Sequence, residues 1–262
     1  MPKLSANLSF LYLDKPMLDR FAAAKRDGFE AVEYMFPYLY PKEELVAALK
    51  ENGLQQALHN LPPGDWDKGD RGIAVDPSRA AEFREGVGRA VEYATALRCP
   101  QVNCLAGIPR KGDDAATQRK SLVENLRYAA AALADAGVKL LVEPINDKDM
   151  PGFWLNRTEQ AIDLIDEVGS DNLFVQYDFY HQSRMAGELA ATFRRYKDRI
   201  AHVQIADNPG RNEPGTGEIN YPFLFDLLDR EGYSGWVGCE YKPATETSAG
   251  LGWASAYLGK QS

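Results

Sequence analysis

Eight short apolar runs, each followed by a longer segment of helical period, constrain the fold of this chain most. The runs are KLSANLS (3–9), FEAVEYM (29–35), LQQALHN (54–60), PQVNCLA (100–106), VKLLVEP (138–144), NLFVQYD (172–178), IAHVQIAD (200–207) and GWVGCEY (235–241). Between them, segments such as MLDRFAAAKRDG, PSRAAEFREGVGRAVEYATALR, QRKSLVENLRYAAAALADAG and TEQAIDLIDEVG set apolar residues three and four apart. Several close on a glycine that suits a helix C-terminus. Parallel strands need a crossover helix between them, so the alternation predicts an α/β chain with a parallel sheet. At 262 residues, one domain over 1–262, closed as a (β/α)8 TIM barrel, is the economical arrangement. A doubly wound open sheet would want a glycine-rich turn after its first strand, and NLSFLYLDKP supplies no GxGxxG. No linker, low-complexity tract or repeat stands out beyond the strand-helix alternation.

In a barrel of this kind the C-terminal strand ends and the loops after them form the mouth, so polar residues there are candidates for chemistry. Those positions hold Asn7, Glu33, His59 with Asn60, Asn103, Glu143, Asp178, Gln204 and Glu240. The last four come from strands five to eight in succession. Three carboxylates and one amide oxygen around half of a barrel mouth repel one another unless something positive sits among them. Oxygen ligands select a hard divalent cation, Mg2+ or Mn2+. A carboxylate at a strand end can instead cap the next helix. Glu143 and Glu240 have the least cap-like surroundings, because VEPIN and CEYKP each bring a proline soon after. Gln204 fits a satisfied core amide as well as a ligand.

Charge narrows the partners. The net charge of −8 opposes nucleic acid and anionic membrane, and an anionic substrate would need a local cation. Cys99, Cys104 and Cys239 are odd in number and lack CxxC spacing, as expected of reduced thiols in a cytoplasmic protein. The first residues show no leader pattern, and no run approaches the roughly 18 apolar residues of a membrane span. The aromatic segment VEYMFPYLYP (32–41) reads as a lid or as a contact in a homo-oligomer. KGDDAATQ (111–118) reads as a solvated helix start with Asp caps, and the long glycine-rich NPGRNEPGTGEINYP (208–222) as a functional loop.

LHNLPPGDW (58–66), VNCLAG (102–107), LVENLRYAA (122–130), VEPINDKDMPGF (142–153), QYDFYHQSRMAGEL (176–189), HVQIADNPGRNEPGTGEINY (202–221) and GWVGCEYKP (235–243) closely resemble the hydroxypyruvate isomerases. That family is part of the wider group of xylose-isomerase-like barrels, which includes ketose epimerases and endonuclease IV. The resemblance extends from SANLSF to SAGLGW, nearly the whole chain. It implies a divalent metal, Mg2+ or Mn2+, held by Glu143, Asp178, Gln204 and Glu240, with the two glutamates as the proton-transfer pair. Many related epimerases carry histidine where this chain has Gln204, and an amide is a weaker ligand than an imidazole. The resemblance therefore implies a metal that is either loosely held or dispensable. It also implies substrate contacts from His181 and Arg211.

The implied reaction interconverts hydroxypyruvate and 2-hydroxy-3-oxopropanoate (tartronate semialdehyde) through an enediol(ate). One group removes a proton from the hydroxyl-bearing carbon and another delivers one to its neighbour, which two facing glutamates can do. The substrate is a small anionic 2-oxo acid, and its carboxylate should meet a cation among Arg211, Lys242, His59 and His181. His59 is favoured by its place at a strand end. Lys242 can instead pair with Glu240, and Arg211 with Glu213 at the surface. His202 shares the face of Gln204 and suits a structural role. A 2-oxo-tetronate isomerase or keto-sugar epimerase with the same glutamates is the nearest alternative. An endonuclease would want more histidines than three and a basic surface.

Overall fold

The computed structural model describes residues 1–110, 112 and 114–259. Eight parallel strands, β1 (Lys3–Asn7), β2 (Ala31–Glu33), β3 (Gln55–Asn60), β4 (Gln101–Cys104), β5 (Lys139–Val142), β6 (Leu173–Asp178), β7 (Ile200–Ile205) and β8 (Trp236–Cys239), close into a barrel in sequence order. Each of the eight apolar runs contains one strand. The strands are shorter than the runs because the chain turns into its loop at or just beyond the polar residue; β2 keeps three residues and shifts register against β3 at Glu33.

Around the strands pack α1 (Asp19–Arg26), α2 (Lys42–Asn52), α3 (Ala80–Leu97), α4 (Ala115–Asp135), α5 (Thr158–Val168), α6 (Phe179–Met185), α7 (Leu189–Tyr196) and α8 (Tyr221–Arg230). Asp114 caps α4 as expected, accepting from the Ala116 and Thr117 amides at 3.0 Å each. Lys111 and Asp113 of that segment lie outside the described residues. No helix among the described residues is long and apolar enough to cross a membrane. Cys99, Cys104 and Cys239 are free and buried.

Successive strand residues point to opposite sides of the sheet. The outward set, including Leu4, Ala6, Val32, Val102, Leu140, Val142, Tyr177, Val203, Ile205, Val237 and Cys239, is apolar and belongs to the hydrophobic core beneath the helices. The inward set is unusually polar: Ser5, Asn7, Glu33, Asn60, Gln101, Asn103, Gln176, Asp178, His202 and Gln204 are all buried. Barrel interiors are ordinarily filled by bulky aliphatic side chains. Buried polar groups at this density have to find partners in one another: Ser5, Asn7, His202 and Gln204 gather around Glu33, while Asn60, Asn103 and Glu143 form a second set.

Candidate active site

Glu143 directly follows β5, Asp178 ends β6, and Glu240 directly follows β8. All three carboxylates are buried, and with His181 on α6 they present ligand atoms lying within 4.8 Å of one another. Asp178 caps the next helix and still keeps one oxygen free. Its Oδ1 accepts from the amides of Tyr180 (2.7 Å) and His181 (3.3 Å) at the start of α6, while its Oδ2 has no partner. Glu143 divides in the same way: Oε2 accepts from the Asn103 amide at 3.2 Å, and Oε1 is buried without a partner. Glu240 is held more fully. Its Oε2 accepts from Asn7 (2.9 Å) and Gln204 (2.7 Å), and its Oε1 from Arg211 (2.7 Å).

Arg211 reaches the site from the loop between β7 and α8, in the left-handed region at φ 56°. Asp207 organises that loop, its carboxylate accepting from the backbone of Asn208, Gly215, Gly217 and Ile219. The guanidinium lies over the rings of Phe10 (4.9 Å) and Tyr180 (5.3 Å), with Asp149 3.7 Å from its Nη1. Its Nε is buried and has no partner. Against Glu240 on one edge, the guanidinium therefore keeps donor capacity for a second anion.

Crowding of acids in a dry space sets the proton inventory. Burial pushes Glu143 well above the ordinary glutamate range, and the charges of Glu240 and Asp178 push it further. Burial likewise raises Glu240, against the pull of Arg211. Asp178 rises to about 6 through burial, opposed by Arg211 and the two α6 amides. Burial, with Arg211 and Arg184, holds His181 well below its ordinary value, so its ring is neutral. Its Nδ1 faces the Asn146 backbone amide (3.4 Å) and side-chain NH2 (2.6 Å). With Nδ1 as acceptor, the ring hydrogen sits on Nε2, facing Glu143 Oε1 (3.7 Å) and Asp178 Oδ2 (3.8 Å).

The structure thus gathers Glu143, Asp178, Glu240, His181 and Arg211. Gln204 is present with its amide turned: its oxygen accepts from Gln176 (2.6 Å) and its NH2 faces Glu33 and Glu240, both at 2.7 Å. As it stands it is a donor to carboxylates and does not offer the oxygen a ligand role asks for. Lys242 is exposed, and only its backbone serves the site, its N–H donating to the Arg211 carbonyl at 2.8 Å.

His59 is not brought into the site. Asn60 points inward, accepting from Asn103 at 3.3 Å, so alternation turns His59 outward, where its ring meets Tyr38 edge-on at 6.1 Å. Burial lowers it from 6.5 to about 3. Above its unfolded value it costs nothing, but between about 6.5 and 3 the unfolded chain binds a proton that the folded chain refuses, and stability falls as pH falls. Wild type should therefore lose about 2 kcal/mol more than His59→Leu between pH 7 and pH 5 in urea unfolding. Equal losses would place the ring in a solvated setting.

Sequence inspection missed Asn146, Asp149 and Asp207, which orient the site from loops where polar residues carry no periodic signal. It read His202 and Gln204 as sharing a face, but passed over the inward pairs Ser5 with Asn7, Gln101 with Asn103 and Gln176 with Asp178, each two residues apart in a strand. That period-two polarity was visible and marks the interior face.

Comparison with known proteins shows the family. The family described as xylose isomerase-like TIM barrel matches residues 21–257. A hydroxypyruvate isomerase of Escherichia coli K12 is 53% identical over 98% of this chain and 100% of its own. A 2-oxo-tetronate isomerase of Cupriavidus necator is 49% identical over 99% and 100%. A crystal structure described as an AP endonuclease, family 2, from Brucella melitensis superposes with a TM-score of 0.96 at 42% identity, covering 98% of this chain and 100% of that one. With the family's match covering most of the barrel and both sequence relatives aligned end to end, the chain belongs to the xylose isomerase-like TIM barrel family.

Proposed function

We propose that the protein is a hydroxypyruvate isomerase, interconverting hydroxypyruvate and 2-hydroxy-3-oxopropanoate. One observation carries this reading: two buried glutamates, Glu143 and Glu240, with oxygens within 4.8 Å of one another and proton affinity raised by burial, and the unpaired Nε of Arg211 beside them. Arg211 takes the substrate carboxylate and orients the three-carbon chain between the two glutamates. One glutamate removes the proton from the hydroxyl-bearing carbon, the other supplies a proton to the adjacent carbon, the hydroxyl proton passes from one oxygen to the other within the enediol, and the roles exchange with direction. His181 Nε2–H donates to the substrate oxygen as negative charge develops on it. Burial keeps water from protonating the enediolate out of turn.

The residues fit a divalent cation, Mg2+ or Mn2+. The partnerless oxygens Glu143 Oε1 and Asp178 Oδ2 face one space, and oxygen donors of that charge suit a hard ion. Glu143, Asp178 and Glu240 would hold it, with Gln204 as a fourth ligand only if its amide reverses. Reversal sets the Gln204 oxygen against two carboxylates, which a cation between them would offset. When bound, the ion supplies Lewis-acid polarisation of the substrate oxygen.

A four-carbon oxo acid is the second reading, favoured by the 49% identity to a 2-oxo-tetronate isomerase. Nucleic acid is a poor fit for a chain of net charge −8. The test compares kcat/KM for hydroxypyruvate and for 2-oxo-tetronate, before and after chelation and after Mg2+ or Mn2+ is restored. We expect hydroxypyruvate to lead by at least about tenfold, the discrimination that one extra carbon supports. Preference for the four-carbon acid would move the assignment to it, and full activity in chelator would remove the metal from the reaction.

A further inference from the structure

Beneath the reacting glutamates lies a buried carboxylate that the proton transfer does not use. Glu33 ends β2 and is fully buried inside the barrel. Its Oε2 accepts from Ser5 Oγ (2.7 Å) and faces His202 Nε2 (2.9 Å). Its Oε1 accepts from Asn7 Nδ2 (3.2 Å) and Gln204 Nε2 (2.7 Å). The same two amide nitrogens donate to Glu240 Oε2, at 2.9 Å and 2.7 Å. Each NH2 group has two hydrogens, and here each spends one downward on Glu33 and one upward on Glu240.

The barrel makes room for this arrangement at one place. A Cβ added to Gly238 of β8 would lie 2.2 Å from Glu33 Oε1 and 2.5 Å from Oε2. The carboxylate, two strands along the barrel wall, occupies the space of a missing side chain.

We propose that Glu33 is a positioning residue for the reaction: by accepting one hydrogen from Asn7 and one from Gln204, it aims their remaining hydrogens at Glu240 Oε2 and fixes that carboxylate in one orientation. The inference rests on the reading of Glu240 as a proton carrier. Ser5 Oγ and both amide nitrogens donate to the Glu33 oxygens, and an amide oxygen turned downward would instead face those oxygens, so Glu33 favours the NH2-down orientation of both amides. With both amides locked, the Glu240 oxygens are distinguished: Oε2 is loaded from below, and Oε1 lies on the Arg211 side, where substrate enters.

The test is steady-state isomerisation of hydroxypyruvate, with thermal unfolding, on Glu33→Ala, Glu33→Gln, Asn7→Ala and Glu240→Gln. Loss of the orienting acceptor should lower kcat of Glu33→Ala by about 10²-fold, the effect of misplacing a reacting group by about 1 Å. KM should change by less than about threefold, because Arg211 is untouched. Glu33→Gln should recover to within about tenfold of wild type, since its oxygen can face the two amides while its NH2 turns to Ser5 and His202. Asn7→Ala, which removes one of two supports, should lose about tenfold in kcat. A merely structural role would lower Tm and leave kcat of the folded protein alone. Folded Glu33→Ala with wild-type kcat overturns the proposal; if that variant does not fold, wild-type kcat in Asn7→Ala overturns it. Wild-type turnover in Glu240→Gln would instead overturn the assignment of Glu240 itself.

Discussion

Glu143→Gln and Glu240→Gln should each lower kcat for hydroxypyruvate by about 10²–10⁴-fold, the contribution of one positioned proton-transfer group. Amides of the same shape cannot carry the proton, yet the two variants should differ in stability. Burial and the neighbouring carboxylates already disfavour a charge on Glu143, so a neutral amide there should cost little stability. Glu240 faces the Arg211 guanidinium at 2.7 Å, and Glu240→Gln takes the charge away from that contact. Glu143→Gln should therefore keep the wild-type Tm and KM while Glu240→Gln shifts both. Rapid-quench turnover and calorimetry on the two variants read this directly, and wild-type kcat in either one sinks the two-glutamate mechanism.

Arg211→Gln should raise KM for hydroxypyruvate by about 10²-fold, within the range for truncating one partner of a buried charge pair. Three carboxylates, Glu240, Asp178 and Glu143, lean on this cation, and Asp149 stands behind it. Burial alone would lower the guanidinium, but those acids outweigh it and raise it, so it is charged at every working pH. Arg211→Lys restores charge without the planar fork held between Phe10 and Tyr180, and should recover only part of the loss. Unchanged KM in Arg211→Gln would mean that the substrate carboxylate binds elsewhere.

The barrel was legible because its signal is repetitive. Each apolar run held one strand, and the glycines after α2 and α5, Gly53 and Gly169, close those helices in the left-handed conformation. Glu143, Asp178 and Glu240 were legible for the same reason, as charges at the ends of apolar runs. His59 also stood at a strand end, but a one-residue difference in parity decides which face a side chain takes, and reading it required Asn60 as the inward neighbour. Gln204 shows a second limit: sequence places an amide at the site, whereas its orientation is set by Glu33 and Gln176, which arrive from strands 171 and 28 residues away. Arg211 was found through likeness of its loop, yet its aim depends on Asp207 gathering four backbone amides. No spacing rule encodes that.

The glycine beside Glu33 bears on how this barrel can change over generations. While Glu33 stays, every other residue at position 238 collides with it. While Gly238 stays, a smaller residue at position 33 opens a void among polar groups that have lost their acceptor. Two positions 205 residues apart in the chain, as the difference of their numbers shows, are thereby bound to a common history, and a lineage that abandons one must replace both together.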